Sequence, residues 1–131
     1  MSGLSTYTQN AILNWLKGTA MPTAPAGVYV GLFNGDPTDA GSGGAEVTTT
    51  VRAAGRVSAT FGTITGNTSM SNSADVDFGQ AAGAATASHF GLFTAASGGQ
   101  LLASGALAAS QSIQATNLVK FATGALTVTV D

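Results

Sequence analysis

A short apolar motif occurs twice in this chain and limits the folds open to it. Residues 28–33 read Val-Tyr-Val-Gly-Leu-Phe, and residues 89–93 read His-Phe-Gly-Leu-Phe. Alternate side chains of a β-strand point to opposite faces. Here both faces are largely apolar, which is typical of a central strand covered on both sides. A glycine within a strand marks a close approach of another group. We therefore predict that Gly31 and Gly91 lie in equivalent core strands, the alternative being chance convergence of two short strands.

The chain after Ala26 has the pattern of short strands separated by turns. Residues 34–44 are rich in Gly, Asn and Asp and predict a long surface loop. Further strands are predicted at residues 46–52, 56–61, 74–78, 101–107, 118–121 and 126–130. The alternation in 56–61 places Val57 inward and Arg56 outward. The predicted fold is mainly β, an antiparallel β-sandwich or related barrel with one short N-terminal α-helix, in a single domain over residues 1–131 with strands from about 26 to 130.

The N-terminal helix is predicted over residues 6–17. Thr6 and Gln9 have the spacing of a capping box, and Gly18 suits the position just after a helix. Apolar side chains recur at helical spacing and form one stripe: Tyr7, Ala11, Ile12, Trp15 and Leu16. The favoured interpretation is that this stripe packs on the sheet as core, and the alternative is that the helix docks onto a partner subunit.

Charge is scarce in this sequence. Charged residues make up 8% of the chain and the net charge is −2, which gives little repulsion between copies and favours association. Nucleic-acid binding normally uses clustered Lys and Arg, so nucleic acid is not an expected partner of a chain whose basic residues are scattered at Lys17, Arg52, Arg56 and Lys120. There is no cysteine, and no apolar run is long enough for a membrane span or a signal peptide.

The residues that could carry chemistry do not form a recognisable catalytic or metal motif. His89 is the only histidine. A catalytic triad of a serine, His89 and Asp77 remains an alternative, but no serine lies in the Gly-x-Ser-x-Gly motif that would support it. Asn34, Asp36 and Asp39 could offer oxygens to Ca²⁺, but too few for its usual six to eight ligands. Asp75 and Asp77 are interpreted as a solvated strand face. The chain is therefore predicted to be no enzyme and to need no metal or cofactor.

Two basic side chains have candidate partners. Arg52 and Arg56 are expected to pair with Glu46 or Asp75, as weak ion pairs at the surface.

The order of these motifs resembles a known family. It runs from Asn-Trp-Leu-Lys-Gly-Thr at 14–19 through Pro-Ala-Gly-Val-Tyr-Val-Gly-Leu-Phe at 25–33 and Gly-Asp-Pro at 35–37. It continues through Gly-Arg-Val at 55–57, Asn-Ser-Ala-Asp-Val-Asp-Phe at 72–78 and the second Gly-Leu-Phe, and it closes in Ala-Leu-Thr-Val-Thr-Val-Asp at 125–131. The whole chain is similar to small tailed-bacteriophage virion proteins, often labelled tail fibre proteins. Where these often have Tyr-Ala-Arg, this chain has Ala54-Gly55-Arg56.

The resemblance implies a non-enzymatic structural protein of the virion, assembled in the host bacterial cytoplasm. A fibre needs a shaft of heptads, collagen-like triplets or repeats, and none occurs in a chain that is expected to be whole from Met1. The favoured role is therefore capsid decoration or cement, with a tail fibre or tail-surface component as the alternative and a carbohydrate-binding module as a third. The expected partners are further copies of the chain, with a trimer as the favoured oligomer, and the major capsid protein or tail proteins of the same phage. The candidate interface is Tyr7, Ile12, Trp15, Leu16, Arg52 and Arg56.

Overall fold

The computed structural model describes residues 2–130, so Met1 and Asp131 at the ends of the predicted domain lie outside the described residues. Two helices are present in the described part, α1 (Thr6–Leu16) and the short α2 (Thr48–Val51). The strands are β1 (Ser2–Leu4), β2 (Val28–Asn34), β3 (Ala45–Glu46), β4 (Val57–Ala59), β5 (Ser69–Ser71), β6 (Val76–Gln80), β7 (Ala85–Phe93), β8 (Leu101–Ile113), β9 (Leu118–Phe121) and β10 (Thr127–Thr129). The mainly β fold with one N-terminal helix is confirmed.

The N-cap of α1 is Ser5, not the predicted Thr6. The Ser5 hydroxyl accepts a hydrogen bond from the backbone N–H of Thr8, which satisfies one of the free donors of the first turn. The Ser5 side chain is buried, and the backbone N–H of Ser5 donates to the Leu102 carbonyl of β8. A tertiary contact therefore sets the start of the helix. Gly18 has a φ of 101°, the left-handed conformation predicted for the position after the helix.

The two copies of the apolar motif lie side by side in one sheet. Strands β2 and β7 pair antiparallel with Gly31 directly opposite Gly91, so the predicted equivalence of the two strands is confirmed. The main sheet has the order β1-β8-β7-β2, and β3 and β4 pair with the two ends of β2 on its other side. All of these pairs are antiparallel.

A second β layer covers one face of the main sheet. It consists of two separate ribbons, β5 with β10 and β6 with β9. The core between the layers joins Val30, Leu32 and Phe90 of the sheet to side chains of the ribbons. Val76 and Phe78 of β6 are buried and Asp75 and Asp77 are exposed, as the alternation predicted. The remaining ribbon side chains of this core include Leu126 and Val128.

The opposite face of the main sheet holds a smaller buried cluster. Phe33 and Phe93 stack with their ring centroids 6.0 Å apart, and Leu101 completes the cluster. The predicted outward position of Arg56 is wrong, because its side chain is only 9% exposed. Its guanidinium lies 3.4 Å from the centroid of the Phe93 ring. The period-two pattern of residues 56–61 does not show that this face of the sheet is covered.

Residues 46–52 do not form the predicted strand. Only Glu46 belongs to a strand, and α2 begins at Thr48. The Thr48 hydroxyl accepts a hydrogen bond from Leu32 N–H at 2.9 Å, and Val47 N–H donates to the Leu32 carbonyl at 2.8 Å. These contacts to β2, together with the fully buried side chain of Val51, outweigh the β propensity of Thr and Val.

Candidate functional site

The apolar stripe of α1 faces solvent. Within it only Ala11 is buried, and Ile12 is half-buried. Tyr7 is 39% exposed, Trp15 58% and Leu16 69%. The interpretation that this stripe packs on the sheet as core is therefore wrong for the three large side chains. The helical periodicity is real, but within residues 2–130 the large side chains of the stripe are left mostly uncovered.

The helix is attached to the sheet through its first half. The Thr8 hydroxyl donates to the Leu102 carbonyl at 2.8 Å, and Gln9 Nε2 donates to the Leu4 carbonyl at 3.0 Å. In the last turn the side chain of Asn14 instead donates to a residue of the same helix. The last turn therefore carries exposed apolar side chains without hydrogen bonds from its side chains to the sheet.

The exposed apolar side chains are concentrated in one segment. Eight large apolar side chains are exposed among the described residues, and five of them lie between positions 7 and 21. We call these five the α1 patch: Tyr7, Leu13, Trp15, Leu16 and Met21. The one charged side chain in residues 6–26 is Lys17. Leu13 and Trp15 are two positions apart and face different sides of the helix, so these side chains are exposed around the helix and the segment after it rather than on one face.

Arg56 has a structural position inside the chain. Its Nε and Nη2 donate to the two carboxylate oxygens of Glu46, each at 2.8 Å, and its Nη1 donates to the carbonyls of Ala95 and Gly98 at 3.0 and 2.7 Å. A bidentate pair with further carbonyl bonds and an aromatic face is a strong arrangement for a guanidinium. The expectation of a weak surface ion pair is wrong, because this pair ties β3 and the loop after β7 to the sheet.

The partner carboxylate is held in its charged form. Burial of Glu46 raises its pKa, but the hydrogen bond from Arg56, a hydrogen bond from the Thr48 hydroxyl and the charge of Arg56 outweigh that effect and leave the pKa below its ordinary value of 4.5. Thr48 Oγ1 donates to Glu46 Oε2 at 2.7 Å. The polar cluster on this face of the sheet is therefore internally satisfied.

Arg52 also directs donors inward. Its Nη1 donates to the carbonyls of Gly55 and Arg56 at 2.9 and 3.2 Å. Asp75, the other expected partner of the arginines, instead accepts from Thr123 and Lys120. The structure thus collects four candidate interface residues on α1, Tyr7, Ile12, Trp15 and Leu16, and places the two arginines in a separate cluster. Contact of any of them with a partner stays a prediction.

A cleft opens between β8 and β9. Its volume is about 770 Å³, and its floor includes the core side chains Phe90 and Leu126. One wall is β8 from Ala106 to Ile113, and the other is β9, where Leu118 is 77% exposed. We call this space the β8–β9 cleft.

The cleft exists because the pairing of β8 is irregular there. Ala87 pairs with Gln111 and His89 with Ala106, so residues 107–110 bulge out opposite one residue of β7. Beyond Gly105, β8 has no ladder with β1, and within the described residues β9 pairs only with β6. The two ribbons of the second layer therefore leave an open slot over the sheet.

The candidate chemical residues do not converge on a reactive site. His89 Nδ1 lies 2.9 Å from the Ser88 hydroxyl, and Asp77 accepts from Gly79 N–H, so no hydrogen bond joins His89 to Asp77 within residues 2–130. In the loop that was weighed as a source of calcium ligands, Asp36 accepts from Thr38 N–H and Asp39 accepts from the side chain of Gln9. No group of three His, Cys, Asp or Glu side chains suited to a metal is found in the described part of the chain.

The sequence reasoning missed the β8–β9 cleft. The segment 106–112 reads Ala-Leu-Ala-Ala-Ser-Gln-Ser, where alternation fails, and a failed alternation within a long strand is the sequence mark of a bulge. The short strand pattern at 118–121 does not show which side of the strand is buried, so the sequence does not predict the exposure of Leu118.

Comparison with known families identifies the chain. Its sequence matches the family described as Podophage GP4 fiber I protein gp80 over residues 3–129. The chain belongs to this phage fibre protein family. A comparison with curated proteins finds no match. The predicted resemblance to small tailed-phage virion proteins is thereby confirmed.

Membership in this family makes the chain a structural component of a phage particle, so the predicted virion location is confirmed. Within the described residues, no helix is both long and apolar enough to cross a membrane.

Proposed function

We propose that this chain is a non-enzymatic component of the phage tail fibre or tail surface, in which residues 1–131 act as one β domain that self-associates. The family description supports the tail over the capsid-decoration role that the compact sequence favoured. The absence of a shaft pattern fits a compact module joined to other fibre parts. Its partners are then tail proteins rather than the major capsid protein.

The observation that carries self-association is the exposure of the α1 patch. Trp15 and Leu16 remain 58% and 69% exposed in the isolated chain, although burying each fully is worth about 1.5–3 kcal/mol. In a particle built from many symmetric copies, a second copy is the most available cover for such a surface. The expected oligomer is a trimer, a closed form whose axis can coincide with that of a fibre.

Carbohydrate binding is a second candidate, favoured by the exposure of the aromatic rings of Tyr7 and Trp15. Sugar sites surround such rings with hydrogen-bonding groups. Asn10 and Asn14 lie beside Tyr7, but the Asn14 amide already donates to the Asn10 side chain, so protein contact fits the exposed rings better. Titration of the intrinsic Trp15 fluorescence with host-surface glycans separates the two, because a saturable change would favour the sugar site.

Two measurements test the proposed function. Antibody fragments raised against the purified chain should label the tail of intact particles in electron micrographs, and label spread over the capsid shell would favour the decoration role instead. Sedimentation velocity at micromolar concentration should show an oligomer. A strictly monomeric chain that also fails to bind purified tails would contradict self-association and tail contact together.

A further inference from the structure

The sequence contains one Asn-Gly step, Asn34–Gly35, at the end of β2. The side-chain amide of an asparagine can be attacked by the backbone nitrogen of the residue that follows it, and the attack closes a small ring. Glycine permits this attack best, because it has no Cβ to obstruct the approach. The other asparagines precede residues that carry a side chain, in the pairs Asn10–Ala11, Asn14–Trp15, Asn67–Thr68, Asn72–Ser73 and Asn117–Leu118. Asn34 is therefore the position at which the sequence is most open to deamidation.

The fold leaves the Asn34 side chain accessible but holds the nitrogen that would attack it. Asn34 is exposed, and its side-chain amide makes no hydrogen bond within residues 2–130. Its backbone pairs with Ala45 of β3, and the next N–H, that of Gly35, donates to the Ser88 hydroxyl of β7 at 2.8 Å. The two groups that would react are thus neighbours in the chain, but one of them is engaged in a hydrogen bond to another strand.

The Ser88 hydroxyl is itself positioned from its other side. His89 Nδ1 lies 2.9 Å from Ser88 Oγ. Because Oγ accepts from Gly35 N–H, its own hydrogen can be donated to an unprotonated Nδ1. Gly35 also packs tightly, since a Cβ at this position would lie 3.1 Å from the Cα of Gly44. The peptide group between Asn34 and Gly35 is therefore held on more than one side.

We propose that Asn34 is a deamidation site of this chain and that the Ser88 hydroxyl slows the reaction by holding the Gly35 N–H. In the reaction the Gly35 nitrogen loses its proton to solvent and bonds to Cγ of Asn34, and the side-chain nitrogen takes up a proton and leaves as ammonia. Water then opens the ring to aspartate or isoaspartate. Ring closure needs the nitrogen within about 3–3.5 Å of Cγ in an aligned geometry, and the hydrogen bond to Ser88 must break before that geometry is reached.

The isoaspartate product would act on the ion pair between Glu46 and Arg56. Isoaspartate routes the backbone through the side chain and so adds one carbon atom to the backbone at position 34. Strand β3 pairs with β2 through Phe33 and Asn34, so a longer backbone here shifts β3 along β2. The shift carries Glu46 away from Arg56, whose donors hold its carboxylate at 2.8 Å. In a released particle, which does not renew its proteins, the Ser88 hydrogen bond therefore prolongs the life of this contact.

Peptide mass mapping during incubation in warm, mildly alkaline buffer measures the conversion of each asparagine. In the folded chain, Ser88→Ala should raise the rate of deamidation at Asn34 roughly 2- to 10-fold, as expected for the loss of one hydrogen bond. Ser88→Thr keeps a hydroxyl and should react like the unaltered chain. Ser42→Ala is the matched control, because Ser42 is exposed in the loop after β2 and its side chain makes no hydrogen bond among the described residues.

Unfolding separates protection by one hydrogen bond from protection by the fold as a whole. In urea, the unaltered chain and Ser88→Ala should deamidate fast and at the same rate, because the bond exists only in the folded chain. Equal rates in the two folded proteins would overturn the role of Ser88. A rate in Ser88→Ala without urea that equals its rate in urea would also overturn it, since general loss of structure would then explain the reaction. If another asparagine of folded Ser88→Ala reacts faster than Asn34, the assigned site is wrong.

Discussion

The substitution Gly91→Ala tests why glycine occupies the centre of the sheet. A Cβ at Gly91 would lie 2.9 Å from Cε2 of Phe93, 3.1 Å from Cδ1 of Leu101 and 3.1 Å from Cε1 of Phe33. The two rings are stacked at an interplanar angle of 12° and are nearly buried, so neither ring can move without displacing the other. Overpacking of this kind costs about 1–3 kcal/mol.

Part of that cost is offset, because alanine restricts the unfolded chain and stabilises by about 0.4–1 kcal/mol where the backbone permits it. The net expectation is a loss of about 1–2 kcal/mol in the free energy of unfolding. Urea unfolding followed by far-UV circular dichroism measures it, since the fluorescence of the exposed Trp15 reports poorly on the core.

Gly62→Ala is the matched control for this substitution. The atoms nearest to a Cβ at Gly62 are 3.7 Å away, an ordinary van der Waals distance, and its φ is not positive. This variant should be unchanged or slightly more stable than the unaltered chain. Equal stabilities of Gly91→Ala and Gly62→Ala would refute the idea that close approach of the two phenylalanine rings requires glycine at position 91.

Three further predictions concern polar groups. Asn72→Leu should lower the free energy of unfolding in urea by about 3–5 kcal/mol, because each buried polar group left without a partner costs about 1–3 kcal/mol. The buried Asn72 amide donates to two carbonyls and accepts from one N–H. A loss under about 1 kcal/mol would contradict this. Stability should fall as the pH drops below about 4.5, because the folded-state pKa of Glu46 is lowered. The charged carboxylate stabilises the fold above its unfolded-state pKa, and protonation removes that contribution. In Glu46→Gln the fall measured by acid titration should be smaller, and an identical acid profile would refute the assignment. His89→Gln should leave assembly and infectivity near normal, and a large loss in a folded, assembling variant would reveal proton chemistry at the contact with Ser88.

The parts of the fold that were predictable are those set by local pattern. Alternation in residues 28–33 and 89–93 predicted two interior strands, because a strand covered on both faces must be apolar on both. Helical spacing predicted α1 within one residue of its observed end. Turn chemistry predicted the loop over 34–44 because positive φ is costly for most residues with a side chain.

The parts that were not predictable depend on distant segments. Arg56 was expected to point outward, and its burial follows from Glu46, Phe93 and the absence of a side chain at Gly31. The alternation of residues 56–61 contains none of these partners. Likewise the period of α1 shows that one surface is apolar, but it cannot show whether the same chain or another copy covers it.

Charge scarcity and the α1 patch have a common consequence for assembly. The chain has ten charged side chains, and two ion pairs, Arg56 with Glu46 and Lys120 with Asp75, use four of them within the same copy. Copies of such a chain can approach closely without repulsion, but a nearly neutral surface also gives little orientation to the contact. Orientation of a contact between copies must then come from the shapes of the surfaces that meet.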